Sequence, residues 1–210
     1  MGRCLEPSCR LCRRMGEKLF LKGARCLGAK CAVDRRGTPP GMHTLRKRQR
    51  KLSDRGVQLR EKQKARYVFE VLERQFRRFF DEASKLPGAT GETLLQLLER
   101  RLDNVVYRLG FGDSRPQARQ MVLHGHIQVN GKRTDVPSFM VKIGDVVSFW
   151  EGGRKTSFYK TLKGTPPSRT APGWLSLDAE KLEGRVLAVP GRADTEISIN
   201  EKAIVEYYAR

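Results

Sequence analysis

The chain has 210 residues, and its 42 Lys and Arg outnumber its 23 Asp and Glu to give a formal charge of +19. That length allows one or two domains and leaves no room for a large catalytic domain beside a separate binding domain. A sequence pI near 10.2 makes a polyanion the expected partner, and a hydrophobic content of 39% argues against disorder of the whole chain. We therefore expect a folded protein that binds nucleic acid.

The sequence contains no segment suited to membrane crossing or export. No window holds the ~18 uncharged apolar residues of a membrane span. The N-terminus carries Arg3, Arg10 and Arg13 without an apolar stretch, unlike a signal peptide. We expect a cytoplasmic protein, in which thiols stay reduced. This expectation bears on the five cysteines, which all lie between Cys4 and Cys31.

The first 52 residues are the most basic part of the chain. They hold 15 Lys and Arg against three acidic residues, a net charge of +12, whereas residues 165–210 have a net charge of −1. Charges that serve only to stabilise helices are mixed in sign along the chain. The excess of positive charge in the first 52 residues therefore indicates a polyanion-binding surface towards the N-terminal end of the chain. Weak periodicity and many glycines predict that residues 1–52 lack a core of their own.

Two cysteine pairs in this segment have the spacing of a metal site, Cys9-x2-Cys12-x13-Cys26-x4-Cys31. Each pair can form a tight knuckle, and four thiolates suit a structural Zn²⁺ that has no open position for catalysis. The same ligands could hold an iron–sulfur cluster, and scattered thiols without a metal are the third interpretation. Cys4 leaves the ligand choice open, because Cys4-x4-Cys9 is also a plausible pair.

A basic run follows the cysteines, and five of the six residues from 46 to 51 are Lys or Arg. Such runs neutralise phosphates, which gives affinity and salt dependence but little sequence information. A solvated tail or a targeting patch is the alternative interpretation. The RNA-contacting residues predicted for this half of the chain are Arg3, Arg10, Arg13, Arg14, Lys22, Arg25, Arg35, Arg36, His43, Arg46, Lys47, Arg48, Arg50, Lys51, Arg60, Lys62 and Arg66.

Helical periodicity begins after residue 53. Apolar residues recur at helical spacing over residues 54–86 and again over residues 92–109. Pro87-Gly88 and Gly110 are natural stops for these two helices.

A helix and a hairpin are predicted next. Ser114 is typical of a helix N-cap, with Pro116 tolerated in the first turn. The helix should reach residue 124, and Asn130-Gly131 after a short strand at 127–129 is a strong hairpin signal.

The predicted helix has an apolar face of Ala118, Met121 and Val122, from which Arg119, Gln120 and His124 fall away. A polar, cationic helix face continued by a hairpin edge suits the junctions and bulges by which structured RNA is recognised. The RNA contacts predicted for this module are Ser114, Arg115, Gln117, Arg119, Gln120, His124, His126, Asn130, Gly131 and Lys132.

The remaining chain predicts short strands. We expect residues 139–141 to pair with 146–150, and further short strands between residues 175 and 199. Asn200 is a predicted cap for a final helix over residues 201–208.

These elements predict an α+β fold, in which a metal-stapled N-terminal segment and a helical domain precede an inserted helix–hairpin RNA-binding module with a small β-sheet. The predicted divisions are a four-cysteine basic segment at 1–52, a helical domain at 53–98 completed by 196–210, the module at 99–165, and strands and loops packed on it at 166–195.

Several stretches resemble one family. Residues 114–132, SRPQARQMVLHGHIQVNGK, resemble the RNA-binding module named after the fourth protein of the small ribosomal subunit. Residues 98–111, LERRLDNVVYRLGF, resemble the stretch before it in the bacterial ribosomal protein family, as do LREKQK at 59–64 and EYYAR at 206–210. Because the resemblance runs from end to end, the chain is similar to that family and not only to its module.

The resemblance implies a protein that binds 16S rRNA directly and early, clamps a multi-helix junction and helps to nucleate small-subunit assembly. It also implies a position near the path by which mRNA enters, beside the fifth small-subunit protein, with an influence on translational accuracy. Zinc-bearing members have cysteines that match the two pairs described above. The chain departs at Cys4, where members usually carry an aromatic residue, and at Met42-His43-Thr44, where Gln-His-Gly is usual. These departures leave the ligand choice and the exact contacts of that loop open.

Three other functions are disfavoured. Arg101-Leu102-Asp103 matches the catalytic motif of pseudouridine synthases that share the module, but Asp103 lies within an apolar helical pattern and the catalytic domain is missing. Stand-alone RNA-binding regulators or chaperones are usually little more than the module. A DNA-binding zinc protein needs a recognition helix after its metal site. We therefore expect a non-enzymatic constituent of the ribosome whose partners are 16S rRNA, neighbouring small-subunit proteins and mRNA, with no DNA and no membrane.

Overall fold

The computed structural model describes residues 6–41, 52–164 and 169–209. Cys4, Arg3 and the predicted contacts from His43 to Lys51 lie outside the described residues. The chain forms two compact units, one of Met1–Leu94 with Glu196–Arg210 and the other of Leu95–Thr195. The four-part division predicted from the sequence stays a prediction.

The first unit is helical. Its helices are α1 (Ser8–Met15), α2 (Ala24–Leu27), α3 (Ala32–Arg35), α4 (Asp54–Val68), α5 (Glu73–Ala83), the start of α6 (Thr90–Glu99) and α11 (Glu201–Tyr208). As predicted, Asn200 caps α11, because its side-chain oxygen accepts a hydrogen bond from the Ala203 N–H at 3.2 Å.

Apolar residues of the N-terminal segment are buried, although the sequence predicts that residues 1–52 lack a core of their own. Leu11, Leu19 and Leu21 are buried there. Helix α1 packs on α3 and contacts α4, and the Lys64 ammonium pairs with the Glu17 carboxylate at 2.9 Å. Helix α4, which lies outside the first 52 residues, thus contributes to the packing of this segment.

The helical stretch predicted over residues 54–86 is two helices. It breaks at Glu70, whose positive φ of 53° reverses the chain after α4. The reversal buries Phe69 and Val71. Few side chains other than glycine adopt this conformation, so the sequence carried no turn signal here.

Three helices meet around the Glu73 carboxylate. The Lys62 ammonium of α4 donates to Glu73 Oε1 at 2.7 Å, and the Tyr208 hydroxyl of α11 donates to the same oxygen at 2.9 Å. Burial alone would raise the pKa of Glu73, but these two hydrogen bonds outweigh it and hold the pKa below its usual value. Burial and the Glu73 hydrogen bond raise the pKa of Tyr208. The three side chains therefore form one polar contact that ties the helices together.

The second unit packs helices on an antiparallel sheet, which makes the protein α+β. After the end of α6 it contains α7 (Leu102–Arg108), α8 (Arg115–Leu123), β1 (Ile127–Val129), β2 (Lys132–Arg133), β3 (Val146–Phe149), α9 (Glu151–Arg154), α10 (Ser157–Gly164), β4 (Leu175–Asp178), β5 (Glu183–Val186) and a 3-10 turn (Arg192–Asp194). The sheet order is β2-β1-β3-β5-β4.

The predicted hairpin is confirmed. Val129 pairs with Lys132, and Asn130 and Gly131 between them have positive φ values of 50° and 75°. A two-residue hairpin turn of this kind needs a positive φ at both central residues. Its backbone twist then matches the twist of the two flanking strands.

Two other sequence predictions for this unit are wrong. Residues 139–141 do not form a strand with 146–150; their one ladder contact is an isolated bridge from Met140 to Arg101, and β3 pairs with β1 and β5 instead. The helix predicted over 92–109 breaks at Arg101, because the Leu102 N–H donates to the Phe139 carbonyl oxygen at 2.8 Å instead of continuing the helical ladder. Helices α9 and α10 were not predicted.

One core lies between the sheet and helices α7 and α8. Val105, Val106 and Val122 are fully buried against Ile127 and Val147. The alternation of buried residues along β1 explains why only one face of this strand is apolar.

Glu73→Gln tests the three-helix contact. Because the folded-state pKa of Glu73 is lowered, its contribution to stability is present above the ordinary pKa of about 4.3 and is lost as pH falls through the folded value. We expect the thermal midpoint of the wild type to fall more between about pH 6 and pH 3 than that of the variant. At neutral pH the cost is at most about 1 kcal/mol, since the carboxylate is partly exposed. Glu82→Gln, an exposed acid on the same helix, is the control; equal pH dependence in all three proteins would contradict this account.

Candidate nucleic-acid interface

The predicted cations of α1 to α3 are largely on the surface. The exposed ones are Arg10, Arg14, Lys22, Arg25, Arg35 and Arg36. Arg13 is half-buried, because its guanidinium donates to the carbonyl oxygens of Thr38 at 2.9 Å and Pro39 at 3.4 Å. It therefore braces the loop that follows α3.

The predicted contacts on α4 are not on an open surface. Lys62 is buried against Glu73 and the Tyr207 ring, 4.7 Å from the ring centroid. Arg60 is half-buried and donates to the Met15 carbonyl oxygen, which fixes the end of α1. Arg66 is half-buried over the Tyr67 ring. Each of these three cations is used in packing within the unit, and their contact with RNA stays a prediction.

Helix α5 presents cations that the sequence analysis missed. Arg74, Arg77 and Arg78 are all exposed. Spacings of three and four residues place them on one side of a helix, and this signal was available in the sequence. They extend the exposed positive charge of the first unit.

A buried ionic cluster underlies the second unit. The Asp103 carboxylate accepts from Arg101 at 3.1 and 2.7 Å and from Arg119 at 2.6 Å. It also accepts from the Asn104 N–H at 3.0 Å. Arg101 and Arg119 are 2% and 3% exposed. The prediction that Arg119 belongs to the exposed face of α8 is wrong, because its guanidinium ties α8 to α7.

A second carboxylate completes the cluster. Glu99 accepts from the Asn104 amide at 2.6 Å and from Arg108 at 2.9 and 3.1 Å. Arg115 donates to the Asn104 side-chain oxygen at 3.0 Å and lies over the Tyr107 ring. Arg115 is therefore buried within this cluster, and its predicted contact with RNA stays a prediction.

The polar side chains left at the surface lie at the end of α8 and on the hairpin. Gln120, His124 and Lys132 are exposed, and Ser114, Gln117 and His126 are half-buried. Asn130 is exposed, but its side chain donates to Asp145 and accepts from the Val146 N–H, both at 2.8 Å. Asn130 thus fixes the hairpin to β3.

Arg133 joins this surface, and the sequence analysis did not select it. A Cβ on Gly125 would collide with its guanidinium, and Gly125 has a positive φ of 68°. Glycine at this position therefore lets Arg133 lie beside the two histidines. Burial, His124 and Arg133 all lower the pKa of His126, so His126 is neutral near pH 7 and can donate and accept hydrogen bonds.

The four predicted ligand cysteines are free thiols, and three of them are buried. Burial raises the pKa of the Cys12 thiol, a backbone hydrogen bond with Leu19 opposes the rise, and Cys26, Cys9 and Cys31 add smaller increases. The Lys22 N–H donates to Cys26 Sγ at 3.3 Å. The donor set suits zinc chemically. Nevertheless, in the described ranges no group of three or more His, Cys, Asp or Glu is arranged to hold a metal ion.

Comparison with known proteins accounts for the whole chain. A family model described as "Ribosomal protein S4/S9 N-terminal domain" matches residues 3–99, and one described as "S4 domain" matches residues 100–147. Proteins named "Small ribosomal subunit protein uS4" are 52% identical in Halothermothrix orenii, 53% in Acetivibrio thermocellus and 54% in a Thermoanaerobacter species, each over 210 residues and all of both chains.

The chain belongs to the uS4 family of small ribosomal subunit proteins. The S4-domain match runs from the residue before Arg101 to Val147, so it contains Asp103, α8 and the hairpin. The family predicted from the sequence is confirmed. No helix in the described parts of the chain is both long and apolar enough to span a membrane.

Asp103→Ala tests the ionic cluster. The substitution leaves Arg101 and Arg119 buried without their carboxylate, and removing one partner of a buried pair costs about 3–5 kcal/mol. We expect the free energy of unfolding in urea to fall by that amount. Asp135→Ala removes an exposed acid of the same unit and should change it by less than about 0.5 kcal/mol. Equal losses in both variants would contradict the structural role of Asp103.

Proposed function

We propose that this protein is a structural constituent of the small ribosomal subunit that binds 16S rRNA. The observation that carries the proposal is identity above half over the full length of proteins with that name. Its net charge of +19 supports a polyanionic partner, and the surface placement of the cations on α1 to α3 and α5 makes that charge available.

The two units would contribute differently to binding. Exposed cations such as Arg10, Arg14 and Arg25 neutralise phosphates and carry no base preference. In the second unit, Gln120, His124 and Lys132 form a polar surface on a helix end and a hairpin, which suits the irregular shape of an RNA junction. The exposed cations of the first unit would then supply most of the affinity for RNA. The polar surface of the second unit would supply the preference for a junction over a plain RNA duplex.

Binding without catalysis fits the placement of Asp103. Pseudouridine synthases use an aspartate in the matching motif, but Asp103 is saturated by Arg101, Arg119 and the Asn104 N–H. A carboxylate with four hydrogen bonds in a buried cluster is held for structure, and reaching a substrate would require breaking them.

The finer role rests on the family resemblance. In that role the protein clamps a multi-helix junction of the 16S rRNA and helps to nucleate small-subunit assembly early. It lies near the path by which mRNA enters the ribosome and influences the accuracy of translation. The neighbouring protein implied is the fifth of the small subunit. The location would be the cytoplasm, in the small ribosomal subunit.

We also propose that Cys9, Cys12, Cys26 and Cys31 bind a structural Zn²⁺, with an iron–sulfur cluster as the alternative. In support, the paired spacing and the donor chemistry suit zinc, and all four cysteines are free thiols within one short segment. Bound metal would stiffen the loops between α1 and α3, which carry several of the exposed cations.

Charge reversal in the two units tests the division of roles. We expect Arg10→Glu with Arg14→Glu to weaken binding to a 16S junction fragment and to duplex RNA alike, and to flatten the salt slope by about 0.7–0.9 per lost phosphate contact. Gln120→Ala with His124→Ala should instead reduce the preference for the junction while the salt slope stays unchanged. Titrations at several salt concentrations measure both effects.

Two outcomes would count against these roles. Equal affinity of the wild type for junction and duplex RNA at matched salt would contradict the proposed rRNA-binding function. Indistinguishable effects of the two double variants would contradict only the division between the units.

Metal analysis of the purified chain tests the zinc proposal. We expect about one Zn²⁺ per chain, lost in Cys12→Ser and Cys26→Ser and retained in the matched control Cys4→Ser. Iron with acid-labile sulfide would establish the cluster instead. A chain that binds neither metal, or that loses zinc in Cys4→Ser and keeps it in Cys9→Ser, would overturn the assignment.

A further inference from the structure

A cavity of about 180 Å³ opens beside the end of α8. Its floor includes Phe149 and Met121, which are 2% and 7% exposed. Phe149 is itself fixed by ring contacts with Phe111 and Tyr159, whose ring centroids are 5.1 and 5.0 Å from its own. The cavity is smaller than the ~300–1,000 Å³ pockets that take drug-sized ligands, so it suits one planar group.

Part of the cavity lining comes from α10 and from the turn that joins it to α9. Gly153 has no Cβ, and one added there would lie 2.6 Å from the His126 carbonyl oxygen. This close approach, together with the hydrogen bond from the Trp150 N–H to the same oxygen at 2.8 Å, seats α9 directly on His126. Thr156 and Phe158 follow α9 in the chain and line the cavity together with the side chains from α8.

The lining combines stacking faces with polar edges. His124 and His126 lie 5.8 Å apart in an edge-to-face arrangement, and Phe158 adds a half-buried ring. Gln117 accepts a hydrogen bond from the Asp113 N–H at 2.9 Å, which orients its amide and leaves the NH₂ group as the donor it offers a ligand. Gln120 adds a second amide. Aromatic and histidine rings with amides nearby are the groups that bind unstacked bases.

The surroundings favour a nucleic acid over an apolar protein segment. Residues 151–164, which include the lining residues Thr156 and Phe158, contain four Lys and Arg but only one acidic residue, Glu151. Lys155 directly precedes Thr156 and is exposed. Arg133 lies close enough to lower the pKa of His126. A base inserted in the cavity would bring its phosphates to these cations.

We propose that this cavity binds a single unstacked base of the rRNA, held between Phe158 and the His124–His126 pair and contacted at its edge by Gln117 and Gln120. The proposal rests on the rRNA-binding function proposed above and adds a base-recognition site to it.

Binding of the full-length chain to the 16S junction fragment tests the site. Loss of the stacking contact between one base and one aromatic side chain should weaken binding of the RNA about five- to hundredfold. We expect this loss in Phe158→Leu, which keeps an apolar side chain of similar size, and in His126→Ala. The salt slope should stay unchanged because no cation is removed. His126→Phe, which restores a stacking face, should bind like the wild type.

Phe139→Ala is the matched control, since it removes a partly exposed ring that does not line the cavity. Ultraviolet cross-linking of the complex should join Phe158 or His126 to an rRNA base, as located by mass spectrometry. Thermal unfolding of each variant separates loss of binding from loss of fold.

The outcomes distinguish this site from the proposed function. If the wild type does not prefer the junction to duplex RNA, the rRNA-binding function fails. If the wild type does prefer it but folded Phe158→Leu and His126→Ala bind as tightly as Phe139→Ala, the base site alone is overturned. Variants that bind naked rRNA normally yet fail to join small subunits would assign the cavity to a neighbouring protein, which also overturns the proposal.

Discussion

Two buried carboxylates, Glu99 and Asp103, determine how the second unit is built. Between them they accept hydrogen bonds from Arg101, Arg108 and Arg119 in the interior. Burying a guanidinium without a partner is costly, so each arginine must find its acceptor before the helices can pack. The pairing of Arg119 with Asp103 therefore fixes α8 against α7. The surface at the end of α8 and the attached hairpin then follow from this one constraint.

This cluster changes the meaning of the positive charge. A net charge of +19 suggests a broad electrostatic surface, but a share of the cations is committed to the interior. Lys62 serves the contact between α4, α5 and α11, while Arg115 and Arg119 serve the contact between α7 and α8. The charge available to RNA is consequently that of exposed residues, including Arg74, Arg77 and Arg78 on α5. A count of cations in the sequence therefore overestimates the positive charge that α4 and α8 expose, and the contacts selected from the sequence leave out the exposed charge of α5.

Sequence patterns predicted those features that depend on local physics. The helix at 115–123, the turn at Asn130-Gly131 and the cap at Asn200 were predicted because periodicity and turn chemistry are local. The break at Glu70 and the break at Arg101 were not. The first depends on a positive φ in a residue other than glycine, and the second on a hydrogen bond from the Leu102 N–H to the distant Phe139 carbonyl oxygen.

The candidate site shows the same limit. His124 and Gln120 were placed correctly at the surface, since they fall away from the apolar face of α8. Arg119 shares that face in projection, but its long side chain turns inward to a carboxylate sixteen residues earlier in the sequence. Helical periodicity predicts the direction of the Cα–Cβ bond of each residue. It does not predict the position of the guanidinium group at the end of a long arginine side chain. Helices α9 and α10 were missed for a different reason, since both are short and carry glycines, which disfavour a helical prediction.

A structure of this chain bound to its 16S rRNA junction tests the central claim most directly. The account predicts that Arg119 stays paired with Asp103 while Gln120, His124 and Lys132 contact RNA. A structure in which Arg119 has left Asp103 to bind a phosphate, with the exposed side chains of α8 away from RNA, would contradict it.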